Sequence, residues 1–128
     1  MLRVYYKFAN YVIFMYNISN RESYKSITEE IQICKNINPK NKIVLVGNKK
    51  EINGKRLIPY EEGNSFAVKY GIKFYEISSV TGENFDELLF DSFNDLIKGV
   101  EEGYYNIKEK NEENKWFLKT IIKEKNKY

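Results

Sequence analysis

Apolar residues fall along this chain in two rhythms. Tyr11 to Tyr16, "YVIFMY", and Lys42 to Val46, "KIVLV", are nearly continuous apolar runs, the pattern of strands covered on both faces in a parallel sheet. "KFYEI", Lys73 to Ile77, is a shorter third strand of the same kind.

The segments between these runs switch to a helical period. After "SNRES", where Ser19 and Glu22 have capping-box spacing, Tyr24, Ile27, Ile31 and Cys34 form a stripe that predicts a helix. Pro59 opens a second helix over "YEEGNSFAVKYG", with Phe66, Ala67 and Tyr70 on its apolar side, Gly63 weakening it and Gly71 as its stop. The turn "TGEN" leads into "FDELLFDSFNDLI", in which Phe85, Leu88, Leu89, Phe93 and Leu96 are expected to make one apolar face, acids sit near the start and Gly99 ends the helix.

Strand, helix, strand, helix, strand, helix predicts right-handed crossovers and an α/β fold with a parallel three-stranded sheet and flanking helices. Ligands of such sheets sit at the carboxyl ends of the strands. Asn48, Lys49, Lys50 and Glu51 are expected just after the second strand, and Ser78, Ser79 and Val80 just after the third, so one ligand could touch both.

Composition narrows the chemistry. The 128 residues suit one domain, contain no histidine and one cysteine, Cys34, which cannot form an internal disulfide and reads as a core residue of the first helix. The "YYK" stretch ending at Lys7 reads as packing. Residues 1 to 102 balance 14 Lys and Arg against 14 Asp and Glu, so the net charge of +3 belongs to the last 26 residues. With 15 Asn, 15 Ile and 11 Tyr, the usage follows A/T-rich codons, and scattered lysines are no argument for nucleic-acid binding. No long apolar run, secretory leader or C-terminal cysteine for a prenyl group is present, which predicts a cytoplasmic protein without a membrane anchor.

A carboxylate offers two acceptor oxygens, and guanine presents two adjacent donors, N1–H and its exocyclic amino group, where adenine has no such pair. Sites that bond a polar group of the substrate can reject an analogue lacking it by about 10⁴ to 10⁵. Asn48-Lys49-Lys50-Glu51 resembles the N-K-x-D guanine motif, and Glu76-Ile77-Ser78-Ser79-Val80 resembles the E-T-S-A-K motif, of Ras-superfamily small GTPases. The likeness is greatest to the Rab branch and covers roughly residues 3 to 98, including "YYKFANYVIFMYNISNRESY" and "YEEGNSFAVKYGIKFYEISSVTGENFDEL".

That resemblance implies a Ras-like P-loop NTPase fold in truncated form. It implies that Asn48 meets the acceptor edge of the base, that Lys49 lays its stem over the ring, that Glu51 grips N1–H and the amino group, and that a main-chain N–H at Ser79 reaches O6, with Ser78 and Val80 completing the second loop. Glu51 stands where the family has Asp, one methylene too long, and Val80 where it has a Lys that walls the base. Misplacements near an ångström can cost about 10²-fold in catalysis, and binding suffers similarly.

No G-x-x-x-x-G-K-[ST] occurs, since Gly54-Lys55 is followed by Arg56 and has Lys49 where the first Gly belongs, and there is no D-x-x-G for magnesium and the γ-phosphate. The lone Gln32 lies mid-helix. The resulting expectation is a Rab-like GTPase relative, 1–102, that keeps guanine recognition with GTP or GDP held weakly or not at all, has no Mg²⁺ site and does not hydrolyse GTP by itself. A charged, helical tail with an apolar patch of Trp116, Phe117, Ile121 and Ile122 is expected over 103–128. The alternatives are a non-catalytic interaction module that binds a protein partner or a second copy through an exposed edge of Tyr11 to Tyr16, and a chain whose true start lies upstream.

Overall fold

The computed structural model describes residues 2–50 and 54–101. Glu51 and the tail 103–128, both singled out above, lie outside the described residues. A 3-10 helix, Leu2–Lys7, precedes strand β1 (Tyr11–Asn17), helix α1 (Arg21–Ile37), β2 (Lys42–Lys49), α2 (Tyr60–Tyr70), β3 (Lys73–Ser78) and α3 (Phe85–Glu101). The strands form one parallel sheet in the order β1-β2-β3, as the alternation predicts.

The near-continuous apolar runs are explained by cover on both faces. Val12, Phe14 and Tyr16 of β1 and Ile43 and Leu45 of β2 pack against Tyr24, Ile27, Ile31 and Cys34 of α1 and against Tyr6 of the 3-10 helix. Tyr11, Ile13 and Met15, with Val44 and Val46, face the other way, against Ile77 and Leu88. Cys34 is a core residue, fully buried, and Tyr6 packs edge-on to Phe14 at 5.9 Å between ring centroids.

Four local expectations are corrected. β2 does not end at Gly47: it continues through Asn48 and Lys49, because β1 pairs with it on one side (Tyr16 opposite Gly47, Asn17 opposite Asn48) and β3 on the other (Gly47 opposite Glu76, Lys49 opposite Ser78). Ladder bonds on both edges outweigh the poor strand propensity of Gly and Asn. The cap of α1 is Asn20, whose Oδ1 accepts from the N–H groups of Glu22 and Ser23 at 3.0 and 3.2 Å, while Ser19 donates its N–H to Asn17 Oδ1.

Gly63 supports α2 rather than weakening it. A Cβ there would stand 2.5 Å from the Tyr16 hydroxyl and 2.7 Å from the Phe74 ring, so only a hydrogen lets the helix settle on the sheet. Gly71 is the predicted stop, in the left-handed region at φ 65°, with its N–H on the Ala67 and Val68 carbonyls. Finally, α3 runs past Gly99 to Glu101, and its five apolar residues do not form one buried face. Leu88 is buried, yet Phe85, Leu89 and Phe93 are 40, 37 and 60 % exposed.

Candidate functional site

The carboxyl ends of β2 and β3 are bound to each other by the polar residues the sequence singled out. Asn48 is 2 % exposed, and a buried amide must find partners. Its Oδ1 accepts the N–H of Ser79 at 3.0 Å, which fixes the loop after β3 to the end of β2. Its own carbonyl accepts from Ile18 N–H at 3.1 Å, which fixes the end of β1 as well. One buried residue thus ties three chain segments together, two through its side chain and the third through its main-chain carbonyl.

Ser78 is the last residue of β3 and is buried. Its hydroxyl accepts from Thr81 N–H at 3.1 Å, and its carbonyl accepts from Gly82 N–H at 2.8 Å, closing the "SSVTG" turn on itself. Gly82, at φ 81°, and Asn84, at φ 61°, take the two left-handed positions of this turn. Asn84 Nδ2 donates to the Glu76 carbonyl at 2.9 Å, so the turn is anchored to β3 at both ends.

Lys49 lies at the end of β2 with its ammonium 3.8 Å from Glu83, a weak ion pair between partly exposed groups. Val80 is 47 % exposed at the tip. Met15, Asn48, Lys50, Ile77, Ser79 and Phe85 line a cavity of about 430 Å³ between the strand ends and the start of α3. Its volume lies in the range of small-molecule sites, and its walls combine apolar surface with convergent polar groups.

A second cavity of about 430 Å³ lies at the amino ends of the strands, among Tyr11, Lys35, Lys42, Lys73 and Asp95. There Lys73 is paired with Asp95 at 2.8 Å and Lys35 donates to the Tyr70 carbonyl at 2.6 Å. That cavity is at the wrong end of a parallel sheet for a ligand, and two of its lysines, Lys35 and Lys73, are already engaged.

Two residues outside the predicted set also shape the site. Arg56 makes a two-pronged bond to Glu76, 2.8 Å on each arm, and donates to the Ile58 carbonyl at 3.0 Å. The Glu76 hydrogen bond holds the guanidinium above its ordinary pKa. This clamp fastens the segment after residue 53 to β3, while Leu57 and Ile58 N–H groups donate to the Ile18 carbonyl. Nothing in the periodicity of the chain links position 56 to position 76.

The structure therefore brings together Asn48, Lys49, Ser78, Ser79 and Val80 on one sheet edge. Among the described residues no cluster of His, Cys, Asp and Glu is placed to hold a metal ion. The Ser79 N–H and the Asn48 Oδ1 are bonded to each other, and Lys50 with the apolar Met15, Ile77 and Phe85 lines the cavity beside them. The Ras family model matches residues 1–100, which takes in every described element but the last residue of α3. The chain belongs to the Ras family.

Proposed function

We propose that this chain is a Rab-branch relative that binds the guanine base at the ends of β2 and β3, with a family role in nucleotide-controlled vesicle traffic in the cytoplasm. The buried Asn48 amide supports the reading best: with its Oδ1 on Ser79 N–H at 3.0 Å, the two base-binding loops are already joined before any ligand arrives. In this reading Lys49 covers one face of the ring and Glu51 takes N1–H and the amino group, which selects guanine over adenine. Charge-assisted bonds of this type contribute about 1.5–3 kcal/mol each.

No phosphate loop accompanies these residues in the sequence, so the base and not the phosphates supplies the affinity. GDP then binds no more tightly than guanosine, weaker than micromolar, and this chain alone does not hydrolyse GTP. Titrating guanosine, adenosine and GDP while following the Ser79 backbone amide by NMR tests this. Guanosine and GDP are expected to shift that resonance alike and adenosine to leave it unmoved. Micromolar GDP binding would refute the missing-cradle argument, and equal response to adenosine would remove guanine selectivity.

The second reading, a non-catalytic interaction module, is favoured by β1. Among the described residues this strand pairs with β2 on one side only, and it carries neither a charge nor a proline from Tyr11 to Tyr16, the usual guards of an edge. Concentration-dependent sedimentation would support pairing through that edge.

A further inference from the structure

One flank of α3 has no partner among the described elements. Leu88 and Ser92 of this helix are buried against the sheet, and Asp91 accepts from the Tyr75 hydroxyl of β3 at 2.6 Å. Each residue turns a helix by about 100°, so Phe93 lies over half a turn from Asp91. Leu89, Phe93 and Ile97, each four residues from the last, form one row there with Phe90 beside it. Their exposures are 37, 60, 55 and 67 %. A row of large apolar side chains open to water marks a contact surface.

The segment 103–128 has the matching properties. Phe117, Leu118, Ile121 and Ile122 fall at i, i+1, i+4 and i+5, one face of a helical period. Residues 103–115, fully extended, span about 40 Å, against about 25 Å for the length of α3, so the apolar group can reach any point of the flank. Charge agrees as well: α3 carries Asp86, Glu87, Asp91, Asp95 and Glu101 against Lys98, while the segment carries seven lysines against four glutamates. A second copy of α3 would instead set two net-negative helices together.

We propose that residues 103–128 fold back over α3, with Phe117, Leu118, Ile121 and Ile122 covering Leu89, Phe93 and Ile97. The contact is independent of nucleotide.

Cross-linking in the full chain tests this, because the only native cysteine, Cys34, is buried in the core. Phe93→Cys with Ile121→Cys should form an intrachain disulfide under mild oxidation on the order of tenfold faster than Asn94→Cys with Ile121→Cys, whose first position lies about 100° further round the same turn. High salt should slow the faster pair. Equal rates for the two pairs would overturn the proposal, and so would interchain disulfides, which would assign the flank to a second copy. Hydrogen exchange on the unsubstituted chain removes dependence on the variants. Protection of the amides from 117 to 122 is expected, since so short a helix is not stable undocked, and free exchange there would overturn the docking.

Discussion

Helices α1 and α3 have the same length, seventeen residues, and the same kind of amphipathic stripe, yet only one of them buries it. α1 sets Tyr24, Ile27, Ile31 and Cys34 into the core, because three neighbours close around it. The sheet lies beneath it. The 3-10 helix meets it through the Arg3–Glu30 pair and the Tyr6 hydroxyl on Glu30, and α2 meets it through Arg21–Glu62 and the Tyr24 hydroxyl on the Glu62 carbonyl. Among the described residues α3 meets the sheet alone, and of its described large apolar side chains only Leu88 is buried, with Leu96 partly so. A hydrophobic period says which residues share a face; cover is decided by what the rest of the chain brings to it.

The largest expected difference between the two helices is in the cost of truncating their stripes. Ile31 is fully buried between α1 and the sheet, so Ile31→Ala removes core contacts and leaves a cavity. A loss of about 2–5 kcal/mol is expected by urea unfolding. A loss below about 1 kcal/mol would mean that α1 is as loosely covered as α3.

Alkaline pH tests the burial of tyrosines on both faces of the sheet next. Burial raises the Tyr6 and Tyr16 hydroxyls on the α1 face well above the ordinary tyrosine range. On the α3 face Tyr11, raised mainly by burial and also by Asp95, reaches about 12. A tyrosine whose folded pKa exceeds its unfolded value of 10.0 keeps its proton longer in the folded chain. Stability is therefore full below pH about 10 and falls as pH rises through the folded value. Tyr11 alone should account for about 2 kcal/mol of that fall. Urea unfolding at a series of pH values should show Tyr11→Phe removing part of the loss of stability above pH about 10, and an unchanged pH dependence would mean that burial does not hold the Tyr11 proton.

How much of this was legible in the sequence follows from the same contrast. The three strands and three helices were readable because each has a strong period or a near-continuous apolar run. The α1 stripe was readable in full. The α3 stripe was readable as a pattern, but its exposure was not, since five apolar positions at helical spacing look alike whether covered or bare. The end of β2 was misread because Gly47 and Asn48 are poor strand formers held in place by ladders on both sides. At the site, Asn48 and Ser79 were legible as a motif pair. The Arg56–Glu76 clamp was not, because ion pairs between distant positions leave no local trace.

The cap of α1 offers a finer test of the better-held helix. Ser19 and Asn20 are both cap formers, and the choice is made by Asn17 and Ser23: Asn17 Oδ1 takes the Ser19 N–H, and the Ser23 hydroxyl donates to the Asn20 carbonyl at 2.8 Å. Asn20→Ala should therefore cost about 1 kcal/mol in thermal unfolding, and Ser19→Ala much less. The reverse ranking would return the cap to Ser19.

The smallest effect is expected on the α3 flank, and its size discriminates between a bare surface and a covered one. At an open position Phe93→Ser would change stability by no more than about 0.5 kcal/mol. Cover by residues 103–128 on one side, with water remaining on the other, places the cost in the full chain at about 1 kcal/mol, below that of Ile31→Ala because only part of the ring is removed from water. Urea unfolding of the full-length Phe93→Ser variant measures it. A neutral result would leave α3 a bare helix, and the contrast with α1 would then be a contrast between a core element and a free surface.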